Sequence, residues 1–75
     1  MIGVECVFAG NGRCQIKRIE VDGRWRVVEQ GRQWVDRQGR HVLVRLPGRP
    51  VQELVLRPDT LTWEFANGRA EVQIV

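Results

Sequence analysis

His41 is the only histidine among the 75 residues, and no other side chain titrates near neutrality unless its surroundings shift it. To act as an acid, a base or a ligand it would need a partner nucleophile or a metal shell. The nearest candidate partners are Asp36 and Arg40, across or beside it in the same predicted hairpin, and we expect His41 to be a surface strand histidine. Cys6 and Cys14 bracket the first predicted loop. A loop centred on Gly10 sets the two thiols opposite each other, where a cross-strand bond is often strained. Two free thiols, one or both in the core, are expected in a reducing compartment. Structural zinc takes about four ligands, which two cysteines and one histidine do not supply, so neither a metal nor a cofactor is expected. Gly10-Asn11-Gly12-Arg13 lacks the Lys-Ser/Thr ending and following helix of a phosphate-binding loop, and reads as a hairpin loop. Glu20, Asp22, Glu29, Asp36, Glu64 and Glu71 form no acid–base pair by spacing. Serine and tyrosine are absent, which removes two further classes of catalytic group. No catalytic residue is assigned, and we expect a protein that is not an enzyme.

The interleaving of arginine and tryptophan is the feature with most chemical content. Lys and Arg number 12 against 9 Asp and Glu, giving a net charge of +3 and a pI near 9.7. Lys17 is the only lysine. Arg binds phosphate and carboxylate in a bidentate fork that Lys lacks. In Arg24-Trp25-Arg26, Arg32-Gln33-Trp34 and Arg37 to Arg40, guanidinium groups stand beside aromatic rings, as in small barrels that bind nucleic acid. On that reading Arg13, Lys17, Arg18, Arg24, Arg26, Arg32, Arg37 and Arg40 form a face for DNA or RNA. The competing reading makes Trp25, Trp34 and Trp63 core residues and the arginines a solvated exterior. The module then binds another protein, or itself as a homodimer, through edge strands.

Turn signals recur at short spacing and fix the elements that carry these residues. Gly10-Asn11-Gly12, Asp22-Gly23, Gln38-Gly39, Pro47-Gly48-Arg49-Pro50, Pro58-Asp59 and Asn67-Gly68 separate runs rich in Val, Ile, Leu and Trp, and no stretch carries a helical apolar stripe. The pattern predicts strands near 2–8, 14–20, 24–30, 33–36, 40–46, 51–57, 60–66 and 69–75. Asn67-Gly68 suits a two-residue type I′ turn. It pairs Trp63 with Val72 and Phe65 with Ala70 on one face and sets Glu64 opposite Glu71. At Asp22-Gly23 a three-residue loop, pairing Ile19 with Trp25 and Glu20 with Arg24, keeps the apolar residues together. The next hairpin, with Gly39 in the left-handed region, sets Asp36 opposite Arg40 and Trp34 opposite Val42. Apolar alternation changes phase between Cys14-x-Ile16 and Ile19-x-Val21, which predicts a bulge near Lys17-Arg18. The fold class is all-β: a small antiparallel barrel or compact two-layer sandwich of short hairpin-connected strands, with no substantial helix.

Length sets one domain over 1–75, since a domain needs roughly 50–200 residues. At 43% apolar and 28% charged residues the chain is folded rather than disordered. No apolar run approaches ~18 residues, and Met1-Ile2-Gly3-Val4-Glu5 does not begin a secretory signal. A cytoplasmic protein without a membrane partner is expected. Gly23-Arg24-Trp25-Arg26, then Gly31-Arg32-Gln33-Trp34, then Gly39-Arg40-His41-Val42-Leu43-Val44-Arg45 resemble a group of short uncharacterised bacterial proteins. Their shared pattern is an Arg-Trp hairpin, Gly-Arg-x-Trp and Gly-x-His-x-Leu-Val-Arg. A domain similar to these is appended to Y-family DNA polymerase-like proteins. The resemblance spans the central third of the chain. It implies an all-β fold and an association with DNA repair, and it carries no catalytic residue across.

Overall fold

The computed structural model describes residues 2–66. Seven strands run through them: β1 (Val4–Phe8), β2 (Cys14–Val21), β3 (Arg24–Val27), β4 (Glu29–Asp36), β5 (Gly39–Arg45), β6 (Gln52–Leu56) and β7 (Trp63–Phe65). They form two antiparallel sheets, ordered β1-β2-β3 and β4-β5-β6-β7. No helix occurs among the described residues, and none is long and apolar enough to cross a membrane. The hairpin predicted at Asn67-Gly68, with its strand 69–75, lies outside the described residues.

The strand boundaries depart from expectation where the chain turns a corner. The run predicted as one strand over 24–30 is divided, because Val28 is buried between β3 and β4 and the chain passes there from one sheet to the other. The strand predicted over 60–66 is only Trp63–Phe65. A turn takes its first residues, closed by Arg57 N–H to the Thr62 carbonyl and Leu61 N–H to the Arg57 carbonyl (2.9 and 2.8 Å). At the other end, Ile2 makes one antiparallel bridge to Trp63, with its N–H 2.9 Å from the Trp63 carbonyl oxygen.

Three hairpin registers differ from the predicted ones. Asp22 and Gly23 both take positive φ (53° and 78°), the pattern of a two-residue type I′ turn. Val21 then faces Arg24, and Glu20 faces Trp25. The turn's right-handed twist outweighs keeping Trp25 on the apolar side, so Trp25 goes to the outer face and is 45% exposed. In the β4–β5 hairpin, Asp36 faces Gly39 rather than Arg40, which sets Trp34 opposite His41 rather than Val42. Gly39 does take positive φ, 133°, and a Cβ there would run into the Leu56 carbonyl of β6. In the first hairpin Phe8 faces Cys14 and Cys6 faces Ile16. The loop is centred on Asn11 rather than Gly10, so the two cysteines are not opposite, and both are free thiols. The bulge near Lys17-Arg18 is present: Cys6 faces Ile16, Glu5 faces Arg18, and Lys17 is the extra residue.

Both sheets contribute to one core. Cys14, Ile16 and Ile19 come from β2, Val28 from the corner, and Val42, Val44, Leu46, Leu54 and Trp63 from the second sheet and its loops. Ile19, Val42, Val44 and Leu54 are the largest side chains fully removed from water.

Candidate functional site

The eight cations proposed for a nucleic-acid face come from several elements. Arg13 lies in the β1–β2 loop, Lys17 at the bulge and Arg37 in the β4–β5 turn. Arg18 is on the outer face of β2, where its Nε donates to Glu5 Oε1 at 2.7 Å, and its guanidinium lies 5.5 Å from the Trp25 ring centre. That bond, reinforced by the charge of Arg18, holds the Glu5 carboxyl below its ordinary range. Arg24 and Arg26 alternate with Trp25 along β3 and so point to the opposite side of the sheet from it. Arg32 lies over Trp34, 4.9 Å from the ring centre. Arg40 is committed to the fold: Nη1 donates to Gln33 Oε1 (2.7 Å) and Nη2 to the Gly12 carbonyl (2.6 Å).

The tryptophans are likewise occupied. Trp63 is 7% exposed, within the core. Trp34 lies on the outer face of the second sheet, stacked on His41 with the rings 1° from parallel and their centres 5.1 Å apart. Trp25 carries Arg18, and its ring edge sits so close to Gly3 that a Cβ there would meet it at 3.0 Å.

His41 is buried, not at the surface as its place in the alternation suggests. Its Nε2 lies 2.8 Å from Asp36 Oδ1 and its Nδ1 2.6 Å from Glu53 Oε2. Ionised carboxylates only accept hydrogen bonds, so pairing both ring nitrogens with them favours the imidazolium, which donates from each. Burial alone would lower its pKa, but the bonds to Asp36 and Glu53, and their charges, outweigh burial and raise it. Asp36 is correspondingly lowered, first by the His41 bond and then by the Gln38 N–H. Asp36 was the partner sequence proximity suggested. Glu53 was missed because it comes from β6, and only the β5–β6 register, with Leu43 opposite Glu53, brings it near.

This cluster has no nucleophile. Cys14 belongs to the core beneath the other sheet, and burial together with the neighbouring Cys6 pushes its thiol up to about 12, so it stays protonated. A shallow depression of about 200 Å³ at Gly31, Leu43 and Val51 does not include His41, nor does one of about 340 Å³ at Val35, Leu56 and Leu61. Among the described residues no group of His, Cys, Asp and Glu is arranged to hold a metal ion.

Strand β3 remains, an edge strand with all four residues exposed. With a two-residue turn, Val21 and Arg24 are the hydrogen-bonded pair beside the loop. The ladder to β2 therefore uses the backbone of Arg24 and Arg26, and turns the N–H and C=O of Trp25 and Val27 outward. Those outward groups have no hydrogen-bond partner among the described residues. By contrast, the open stretch of β2 beyond β3 is capped by side chains. Gln33 Oε1 accepts from Cys14 N–H (2.9 Å) and Gln30 Oε1 from Ile16 N–H (2.7 Å), while both amide nitrogens donate to the Cys14 carbonyl. Sequence reasoning passed over both glutamines. A register shift between Gln30 and Gln33 gives β4 one more residue than β5 and brings the pair to the same side; the glycine between them was the available signal. The chain matches no family model, no curated protein and no solved structure.

Proposed function

We propose that this chain is a non-catalytic protein-interaction module that takes an extended segment of a partner onto the free edge of β3. The observation that carries this reading is the pair of outward backbone groups at Trp25 and Val27, unpartnered among the described residues on a strand whose four side chains are all exposed. Such an edge is a template for strand addition. Of the two edge strands of this sheet, β1 is part-buried at Val4 and Cys6 whereas β3 is exposed throughout, and the open stretch of β2 at Cys14 and Ile16 is closed by glutamine amides, which favours β3. For the scaffold we infer a partly open barrel. Its support is two seams between the sheets: the Ile2–Trp63 bridge on one side and the glutamine amides on the other.

Nucleic-acid binding is less well supported. It calls for connected cations around exposed rings, whereas Arg18 is paired with Glu5, Arg40 is bonded within the fold, and Trp34 and Trp25 already carry His41 and Arg18. A non-catalytic role is supported by His41, both of whose ring nitrogens are engaged by carboxylates.

The test uses Val27→Pro, which removes an outward N–H and leaves the ladder to β2 intact. Extended peptides selected from a displayed library against the wild-type chain should lose binding to this variant. Selected peptides that bind both forms equally would place the site elsewhere. Labelled single-stranded and duplex DNA, titrated at low and moderate salt, should show no salt-sensitive micromolar binding. If it does, and Val27→Pro leaves it unchanged, the nucleic-acid reading replaces this one.

A further inference from the structure

The side chains of β3 define what kind of segment its edge accepts. Arg24 and Arg26 share one side of the strand, and neither has a carboxylate partner among the described residues. Trp25 and Val27 share the other side and are 45% and 68% exposed. The nearest cation on that side, Arg18, is already neutralised by Glu5. The edge is therefore cationic on one side and apolar on the other.

A second copy of the chain is a poor occupant. The exposed edge bonds through Trp25 and Val27. An antiparallel pairing of two β3 strands with Trp25 against Trp25 sets Arg24 opposite Arg26. The register with Trp25 against Val27 sets Arg26 opposite Arg26. Like charges directly across a ladder are destabilising, so the alternation that leaves this edge open also disfavours closing it with itself.

Resting on the strand-addition reading, we propose that β3 recruits an acidic extended segment of another protein, with Asp or Glu at alternate positions facing Arg24 and Arg26 and apolar residues between them packing on Trp25 and Val27. The backbone of the segment bonds to the outward groups of Trp25 and Val27. Its carboxylates give each arginine an anion suited to the guanidinium fork, and its apolar residues cover the tryptophan and valine. A segment of alternating acidic and apolar residues meets both requirements in the two-residue period of a strand.

The test uses the full chain, isotope-labelled, and three probes: a peptide of alternating Glu and Val, the same peptide with Gln for Glu, and a single-stranded oligonucleotide. The Glu/Val peptide should slow amide exchange at Trp25 and Val27. The Gln/Val peptide should bind about tenfold more weakly, as expected for the loss of two exposed ion pairs. The double variant Arg24→Glu, Arg26→Glu should reverse the preference toward a Lys/Val peptide. If the Gln/Val peptide protects the same amides with equal affinity, the acidic preference is overturned and strand addition stands. If the Glu/Val peptide binds without protecting Trp25 and Val27, strand addition fails as well. An oligonucleotide that shifts the β3 resonances at lower concentration than the Glu/Val peptide overturns the peptide assignment in favour of a nucleic-acid partner.

Discussion

His41 is held by contacts from the two strands that flank its own: Trp34 stacks on it from β4, Asp36 closes β4 beside the turn, and Glu53 reaches it from β6. Its charge therefore helps fasten β4, β5 and β6 together. Because its folded pKa is raised, the stabilisation is fully present below the unfolded value of about 6.5 and is lost as pH rises through the folded one. Deprotonation leaves one ring nitrogen as a lone pair facing a carboxylate. Asp36 works in the other direction: its folded pKa is lowered, so its contribution is present above about pH 3.9 and is lost as pH falls through the lowered value. Urea midpoints measured from pH 5 to 10 should fall on the alkaline side in the wild type. His41→Asn, which has no cation to lose, should show a lower midpoint at pH 6 and little of that alkaline fall. Equal slopes in the two proteins would remove His41 as the cause. None of this was legible in the sequence beyond the Asp36 partnership. Alternation puts His41 on the outer face correctly, but its burial comes from a neighbouring ring and from a carboxylate on the next strand. The ring comes from a β4–β5 register displaced by one residue from the one the apolar pattern favoured, and the carboxylate from the β5–β6 register, which the pattern did not specify.

The elements were legible where the chain's own periodicity carries the information. The phase break between Ile16 and Ile19 predicts the Lys17 bulge, because an extra residue is what returns Ile19 to the core side. The turn at Asp22-Gly23 was misread because Trp25 was assumed to need the apolar side, whereas a half-exposed tryptophan is stable under an arginine. The glutamine seam was invisible, since side-chain amides serving as ladder partners have no periodic signature. It also allows a firm prediction. Gln33 accepts from both Cys14 N–H and Arg40, and donates to the Cys14 carbonyl. Gln33→Glu keeps the acceptor but replaces the donor with an oxygen facing that carbonyl. Gln33→Leu abolishes every bond and leaves part-buried backbone groups unsatisfied, at a cost of about 1–3 kcal/mol. Both variants should lower stability and speed exchange of the Cys14 amide, and Gln30→Leu should do the same at Ile16. Unchanged exchange at these two amides would mean that water replaces the glutamines without loss, and that the seam does not hold the sheets together.

At the scale of the whole molecule, two sheets of three and four strands share one cluster of buried side chains, and neither sheet has a complete core alone. The three-stranded sheet contributes Cys14, Ile16 and Ile19, all on β2, and its edge strand β3 is exposed throughout. A two- or three-stranded unit with so few apolar residues is not expected to persist once separated. The second sheet would then expose Val42, Val44 and Leu54 to water, losing roughly 1.5–3 kcal/mol for each fully buried aliphatic side chain. Opening of one sheet should therefore entail opening of the other, and the chain should unfold in a single step despite its two sheets. Ile19→Val tests this with little disturbance, because it removes one methylene at the junction of the sheets, at a cost of about 0.5–1.5 kcal/mol. In a cooperative molecule the amides of fully buried residues, Ile19 in one sheet and Val42 and Leu54 in the other, should lose the same free energy of exchange on this substitution and share one dependence on denaturant. If only the amides of β2 respond while those of β5 and β6 keep their protection, the sheets open separately. The small sheet carrying the β3 edge would then be a unit whose order depends on what binds it.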